Sequence, residues 1–306
     1  MNKINILAVC SSTKHSRKHP VKELILTHNG IEGDVHAGPW NRQVSIIDKH
    51  DIDQFKKHTD ARDAEFGEFA ENITTSGLKD TNVVPYDKFK IGEAELEVTQ
   101  IGKDFHDKFM ELGNYVMPRV GIFCRVTKPG TIKAGDTMQY IPKTFNALVV
   151  TLSDRASKGE YEDKSGPIVG NMLETFFKKK KMPYKISSEI IADNAKKLQE
   201  IVLKAKQNKF DIIITTGGTG IGMRDITVDT IQPMLDKEIP GVMEMIRMKY
   251  GAEKPNALLS RGVAGVMDQS LVYTLPGSVK AVNEYMTEIT KTLFHLIYML
   301  HGIDIH

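Results

Sequence analysis

Between residues 209 and 229 the chain reads Lys-Phe-Asp-Ile-Ile-Ile-Thr-Thr-Gly-Gly-Thr-Gly-Ile-Gly-Met-Arg-Asp-Ile-Thr-Val-Asp. An apolar run breaks there into a glycine-rich turn, and carboxylates follow at Asp225 and Asp229. The paired glycines Gly217 and Gly218 free the backbone to reach positive φ and to approach a ligand closely. The N–H groups of Gly217, Gly218, Thr219 and Gly220, with the hydroxyls of Thr215, Thr216 and Thr219, would supply a nest of donors for a phosphate or another oxyanion. A phosphate cradle beside carboxylates is what a magnesium-nucleotide site requires, because the metal bridges the two kinds of anion. The alternative is a plain tight turn in which Asp225 caps a helical segment over Ile226–Leu235. Two nucleotide motifs are excluded. The chain has no Gly-x4-Gly-Lys-Ser/Thr, and glycines at 217, 218, 220 and 222 do not fit Gly-x-Gly-x-x-Gly.

The elements that must hold this turn follow from periodicity. Ile212, Ile213 and Ile214 form a β-branched run suited to a strand buried on both faces of a parallel sheet. Ala147–Leu152 reads as a strand ending in Ser153-Asp154-Arg155, Gly166–Lys181 as an amphipathic helix, and Lys185–Ile191 as a second strand. Asp193-Asn194 then resembles a helix cap before Ala195–Gln207, with Leu198, Ile201, Val202 and Ala205 on one face. A strand over Leu271–Leu275 leads into Pro276-Gly277-Ser278, and a long helix spans Val279–Leu300. This alternation predicts an α/β domain with a doubly wound, mostly parallel sheet covered by helices on both sides. Ligands in such sheets bind beyond the carboxyl ends of the strands. Ser153-Asp154-Arg155, Asp193, Thr216–Asp225 and Pro276-Gly277-Ser278 are therefore expected to converge on one edge.

The first half differs. Short strand-like segments at Val44–Ile47, Ala94–Ile101, Gly121–Thr127 and Thr137–Ile141 are separated by turns rich in Gly, Pro and Asp, and only Lys49–His58 reads as a helix. That pattern predicts a mostly-β barrel or sandwich. A chain of 306 residues exceeds most single cores. Two domains are expected, over 1–143 and 144–306, with the boundary at Pro142-Lys143-Thr144. Hydrophobic residues at 41% and charged residues at 26% exclude a disordered chain, and a net charge of +2 gives no reason to expect nucleic-acid binding. Lys178–Lys181 reads as the solvated end of a helix. Cys10 and Cys124 alone cannot build a disulfide framework or a cysteine zinc site. There is neither a bilayer-spanning apolar run nor a secretory leader pattern at the N-terminus, so the expected address is cytoplasmic.

Several motifs of the second half occur together in order: Leu152–Ser157, Asp163-Lys164-Ser165-Gly166, Thr215–Gly220, Arg224-Asp225-Ile226-Thr227, Pro240-Gly241, Leu259-Ser260-Arg261 and Leu275-Pro276-Gly277-Ser278. In these the chain closely resembles the molybdopterin adenylyltransferase family of the MogA/MoaB type over nearly all of 145–306. The resemblance implies transfer of AMP from ATP to the terminal phosphate of molybdopterin, with release of pyrophosphate, and a product that awaits molybdate from an insertion partner. It implies catalytic acids at Asp193 and Asp225, which would also bind Mg²⁺. Nucleotide phosphates would lie on Thr216, Gly217, Gly218, Thr219 and Gly220. Molybdopterin would contact Ser153, Asp154, Arg155, Ser260, Arg261, Pro276, Gly277 and Ser278. A homo-oligomer, by resemblance a trimer, is expected. An ordinary cap at Asp193 and structural ion pairs at Arg155 and Arg261 are the alternatives.

The first half carries Gly30-Ile31-Glu32-Gly33-Asp34-Val35-His36-Ala37-Gly38, Arg42-Gln43-Val44-Ser45, Phe69–Leu78, Gln100-Ile101-Gly102-Lys103 and Ile132–Asp136. In these it resembles the MOSC domain, the family related to the C-terminal part of molybdenum cofactor sulfurases. That family carries a cysteine shortly after the Gly-Lys pair, where this chain has Phe105. Cys10 and Cys124, in or beside apolar strands, read as buried and inert. The sequence therefore points to a MOSC-like barrel fused to an adenylyltransferase domain. The competing readings are a carrier that holds molybdopterin without modifying it and a sulfur-transfer enzyme centred on the first half. His36 beside Asp34, with Arg42, is either an anion contact or a hydrogen-bonded structural cluster.

Overall fold

A computed structural model of the chain describes residues 4–59, 65–102 and 116–303. Phe105 and the residues beside it, among them Lys103, lie outside the described set. The chain divides into two compact units, Met1–Lys143 and Thr144–His306.

The first unit contains strands β1 (Ile4–Ser11), β2 (His19–Pro20), β3 (Glu23–Thr27), β4 (Gly30–Ile31), β5 (Val44–Asp48), β6 (Ile73–Ser76), β7 (Lys88–Ile91), β8 (Ala94–Ile101), β9 (Ile122–Lys128), β10 (Gly130–Lys133) and β11 (Thr137–Ile141). Its helices are α1 (Lys49–Thr59) and α2 (Val116–Val120). Seven strands run in the order β11-β7-β8-β9-β5-β6-β1, and pairing of Ile4 with Met138 joins β1 back to β11. The sheet is thereby a closed barrel, which leaves its long strands without open edges. Alternate residues of β8 (Ala94, Leu96, Val98) are buried and pack with Ile6, Ile46, Phe89 and Cys124 in the barrel core. β5 and β6 pair in parallel, through Ile46 and Ile73. β2 adds to the end of β1, and β10-β3-β4 form a separate three-stranded sheet.

The second unit contains β12 (Phe145–Leu152), α3 (Asp154–Ser157), α4 (Ser165–Lys179), β13 (Tyr184–Ile191), α5 (Ala195–Gln207), β14 (Ile212–Thr216), α6 (Thr227–Ile231), β15 (Lys237–Glu238), α7 (Pro240–Gly251), β16 (Ala264–Met267), β17 (Ser270–Leu275) and α8 (Val279–Leu300). The sheet order is β13-β12-β14-β17-β16-β15. The first four strands are parallel, while β16 and β15 form an antiparallel edge that the periodicity does not predict. Every residue of β14 and β17 is buried. One face packs Leu148, Val150, Ile213 and Val272 against Leu198, Ile201 and Val202 of α5. Successive strand residues alternate faces, which sends the buried Val149, Ile214 and Tyr273 to the other side, where α4 and α8 pack. Each fully buried Ile or Val stabilises the fold by about 1.5–3 kcal/mol. The three central strands thus fix the sheet more firmly than β13, most of whose residues are partly or fully exposed.

The chain leaves β12 for β13 on one side and returns past it to β14 on the other. The direction of winding therefore reverses between β12 and β14, and a crevice opens there at the carboxyl ends of the strands. Register keeps those ends level, since Thr151 lies beside Thr216, Thr216 beside Leu275, and Leu152 beside Ile191. Among the described residues no helix is long and apolar enough to cross a membrane.

Candidate active site

A cleft of about 1640 Å³ lies at this edge of the second unit. Its floor is the turn after β14. Gly217 has φ +100° and Gly218 φ +65°, both in the region that favours glycine. A methyl group on Gly217 would overlap the carbonyl oxygen of Leu152, and one on Gly218 would stand 2.5 Å from Thr227 Oγ1. The Gly217 N–H continues the sheet by donating to Leu275 O at 2.9 Å. Thr227 ties the turn from below, with Oγ1 donating to Gly217 O at 2.8 Å and its N–H to Gly218 O at 3.1 Å. The N–H groups of Gly218, Thr219 and Gly220 take no acceptor among the described residues, and all three residues line the cleft. They are the uncommitted donors.

The threonines behave differently from the sequence expectation. Thr216 Oγ1 donates to Pro276 O at 2.9 Å, which locks the turn to the one after β17. Thr219 Oγ1 lies 3.4 Å from Ser260 Oγ. Thr215 Oγ1 is buried in the sheet away from the cleft, because the alternation that turns Thr216 outward turns Thr215 inward. The cradle is therefore built of backbone N–H groups, and the hydroxyls serve mainly to hold it in place.

Of the five carboxylates that line the cleft (Asp154, Asp163, Asp193, Asp225 and Glu284), Asp193 interacts electrostatically with Asp154 and Asp225. Asp225 does not cap the following helix, whose N-cap is Ile226 without a side-chain bond. Its Oδ2 accepts the Gly222 N–H at 2.8 Å, pinning the carboxylate against the glycine loop. Asp193 is not a cap either. Asn194 has that role, its Oδ1 accepting the Lys197 N–H at 2.9 Å. The Asp193 N–H donates to Asp154 Oδ1 at 3.1 Å, and Arg224 Nη1 lies 3.4 Å from Asp154 Oδ2. Partial burial, then the negative charge of Asp154, push the Asp193 carboxyl above the usual carboxylate range, with Arg224 offsetting part of this. Such a site gains from a cation.

Ser153 and Ser278 line the cleft and also cap helices, accepting from Ala156 N at 3.2 Å and Ala281 N at 3.3 Å. Arg155 lines it with its guanidinium 5.4 Å from the Tyr161 ring centroid, a cation–π contact, and forms no ion pair among the described residues. Ser260, Pro276 and Gly277 are present as well. Arg261 is the exception. It lies outside the lining, with its guanidinium forked onto Asp229, and Nη1 stands 3.1 Å from Oδ2. Asp163 links the motifs: its Oδ2 accepts from Thr151 Oγ1 at 2.7 Å and its Oδ1 from the Ser165 and Gly166 N–H groups, while Ser165 Oγ donates to Gly277 O. Lys254, Lys280, Glu284 and Tyr285 also line the cleft, and no sequence motif marks them.

Residues 148–295 match a family model described as "Probable molybdopterin binding domain", and residues 32–139 match the MOSC domain. The second half is 37% identical over 161 residues to a molybdopterin adenylyltransferase of Pyrococcus furiosus, covering 51% of this chain and 91% of that protein. The chain belongs to the molybdopterin adenylyltransferase family. An adenylyltransferase of the same name from Helicobacter pylori is 33% identical, with 52% of this chain and 90% of that protein covered. Molybdenum cofactor biosynthesis protein B of Bacillus cereus is 35% identical, with 52% and 93% covered. The family places the protein in molybdenum cofactor biosynthesis, and its adenylyltransferase half carries the cleft described above.

The MOSC half has its own polar centre. Lys18, Asp34 and Asn72 are buried, with Lys18 Nζ 2.7 Å from both Asp34 oxygens and Asn72 Nδ2 donating to Asp34 Oδ2 at 3.0 Å. His36 N and Ser11 Oγ also donate to Asp34, whose carboxyl is held well below the usual range by its His36 and Lys18 partners despite burial. The His36 ring stacks on Trp40 at 5.9 Å, and Arg42 lies over Trp40 at 5.3 Å. Asp34 and His36 thus form a hydrogen-bonded cluster, and Arg42 serves the tryptophan. Cys10 and Cys124 are both buried; burial, with Glu71 nearby, pushes the Cys10 thiol up to about 12, and burial pushes Cys124 well above its ordinary value.

Proposed function

We propose that the protein transfers AMP from Mg-ATP to the terminal phosphate of molybdopterin. An acceptor phosphate oxygen would form a bond to the α-phosphorus, the bond from that phosphorus to the β-phosphate oxygen would break, and pyrophosphate would leave with the electron pair. What supports this most is the placement of uncommitted N–H donors with the carboxylates of Asp154, Asp193 and Asp225 on one cleft at the winding reversal of an α/β sheet. The Gly218, Thr219 and Gly220 N–H groups would hold nucleotide phosphate oxygens at fixed positions and stabilise charge as it shifts to the leaving group. Among the described residues no three His, Cys, Asp or Glu side chains form a ready metal site. Mg²⁺ is commonly held by one or two carboxylates together with substrate phosphates. Asp193 and Asp225 would hold it, and bound there it would supply the charge neutralisation that two polyanions need to approach each other. Ser153, Arg155, Ser260 and the Pro276–Ser278 turn would contact the pterin substrate.

The deciding assay incubates the full chain with molybdopterin, ATP and Mg²⁺ and follows adenylylated molybdopterin and pyrophosphate. Equal amounts of both are expected; tight molybdopterin binding with no pyrophosphate would show a carrier. Residues 144–306 alone should fold and keep this activity, because every residue assigned to it lies there. A soluble but inactive fragment would show that the MOSC half completes the site.

We infer a non-covalent role for the MOSC half. A sulfur carrier needs an exposed thiolate, and both cysteines are buried with raised pKa. The Cys10→Ala, Cys124→Ala double variant should support cofactor production at the wild-type level. A persulfide found on either cysteine by mass spectrometry would overturn this.

A further inference from the structure

The cleft has a basic end as well as an acidic one. α8 is 22 residues long and begins where Gly277 meets the phosphate turn, with a methyl on Gly277 standing 3.2 Å from Gly217 Cα. Lys280 lies in its first turn and Glu284 and Tyr285 in the second, and all three line the cleft with Lys254 from the segment after α7. Lys254 Nζ donates to Glu284 Oε1 at 3.2 Å, and the Lys280 amine is the immediate neighbour of Lys254. Two lysines therefore crowd one partly exposed carboxylate. Contact with Lys254 and repulsion by its charge hold Lys280 below the ordinary lysine range, while contact with Lys280 and Glu284 raises Lys254. Tyr285 supplies a second and independent observation. It is 2% exposed, and its hydroxyl is buried with no hydrogen-bond partner among the described residues. A buried hydroxyl without a partner is costly unless a ligand completes it.

We propose that Lys254, Lys280 and the Tyr285 hydroxyl form a phosphate subsite at the start of α8, bordering the glycine turn. An incoming phosphate displaces Glu284 from Lys254, gains two ammonium donors and the Val279 and Lys280 N–H groups that the Ser278 cap leaves uncommitted, and gives the phenol an acceptor. The inference rests on the adenylyl-transfer reading for the identity of its ligand. Two sources share the chemistry: the phosphate monoester of the pterin acceptor and the pyrophosphate portion of the nucleotide.

The test measures binding of inorganic pyrophosphate, ATP and molybdopterin to the full chain by calorimetry, separately from turnover. In the Lys254→Ala, Lys280→Ala variant at least one probe should bind about 10- to 100-fold more weakly, the loss of two charge-assisted bonds. A loss confined to molybdopterin assigns the subsite to the acceptor, and a loss shared by ATP and pyrophosphate assigns it to the nucleotide. Glu284→Gln should tighten the same probe, since it removes the competing carboxylate. Tyr285→Phe should weaken it several-fold and also raise the unfolding midpoint of the unliganded protein, a pairing that a purely structural hydroxyl would not give. Unchanged affinity for all three probes in folded Lys254→Ala, Lys280→Ala protein would overturn the proposal. Pyrophosphate binding does not require adenylyl transfer, so a chain that binds it through these lysines yet forms no adenylylated product sinks the proposed reaction and leaves the subsite standing.

Discussion

Replacing Asp225 or Asp193 with Asn is expected to slow AMP transfer by about 10²-fold or more, equivalent to about 2.7 kcal/mol of lost transition-state stabilisation, with the fold intact. The structure removes the main objection, that these acids hold helix ends. Asn194 caps α5, and the helix after Asp225 has no side-chain cap. An Asn at 225 keeps an oxygen for the Gly222 N–H. At 193 the stability effect has a definite sign. Burial and Asp154 raise the folded-state pKa of Asp193, so its ionisation opposes folding. That cost is absent below the unfolded-state pKa of about 4 and is fully present once the pH has risen through the folded value. Asp193→Asn should therefore be at least as stable as the wild type at pH 7, with the difference fading as the pH falls toward 4. Steady-state turnover and urea unfolding at the two pH values separate the effects. Wild-type turnover in both variants removes the catalytic assignment, and reduced stability with normal turnover of the folded fraction assigns the acids to structure.

Much of this site is legible in the sequence because its positioning elements are regular. The helices α5 and α8 run over 195–207 and 279–300 as their apolar spacing predicts, and the Ile212–Ile214 run ends at the glycine turn. The antiparallel edge is not legible. β16 is four residues long and includes Gly265, where a methyl would stand 2.5 Å from Lys237 O, so close backbone packing replaces the β-branched pattern that marks a strand. Side-chain direction is the second blind spot. Thr215 and Thr216 read alike, yet one is enclosed by the sheet and the other reaches Pro276. Arg261 sits in a shared motif, but the nearest carboxylate, Asp229, claims it. Lys280, Glu284 and Tyr285 could have been found from their i, i+4 and i, i+5 spacing just after Pro276-Gly277-Ser278, a turn already expected at the site. Lys254 carries no local signal, because only the packing of α7 against α8 brings it there. In the barrel, short strands such as Ile73–Ser76 and Lys88–Ile91 take their structure from closure, which no local pattern records.

Gly217→Ala is expected to be the most damaging small substitution in the second unit, costing about 3 kcal/mol or more of stability and removing nucleotide binding in whatever protein folds. Two terms add. Alanine at φ +100° bears a backbone strain of about 1–3 kcal/mol. Its methyl overlaps the Leu152 carbonyl oxygen, and relief of such overpacking in a rigid core costs about 1–3 kcal/mol more. The carbonyl has little room to yield, because Leu152 ends a central strand paired to Ile191 on one side. Any shift of the turn also strains the Gly217 N–H bond to Leu275 O and the Thr227 bond to Gly217 O. Those bonds aim the Gly218, Thr219 and Gly220 N–H groups, so binding and stability should fall together. Gly241, in the first turn of α7, has nothing within 4 Å of an added methyl and an ordinary helical φ, which makes Gly241→Ala the matched control. There the change should be neutral or stabilising by about 0.5–1 kcal/mol. Urea unfolding of both variants, with ATP binding measured on the folded fraction, makes the comparison. A Gly217→Ala protein with the unfolding midpoint and nucleotide affinity of the Gly241→Ala control would show that the turn is neither strained nor the phosphate cradle.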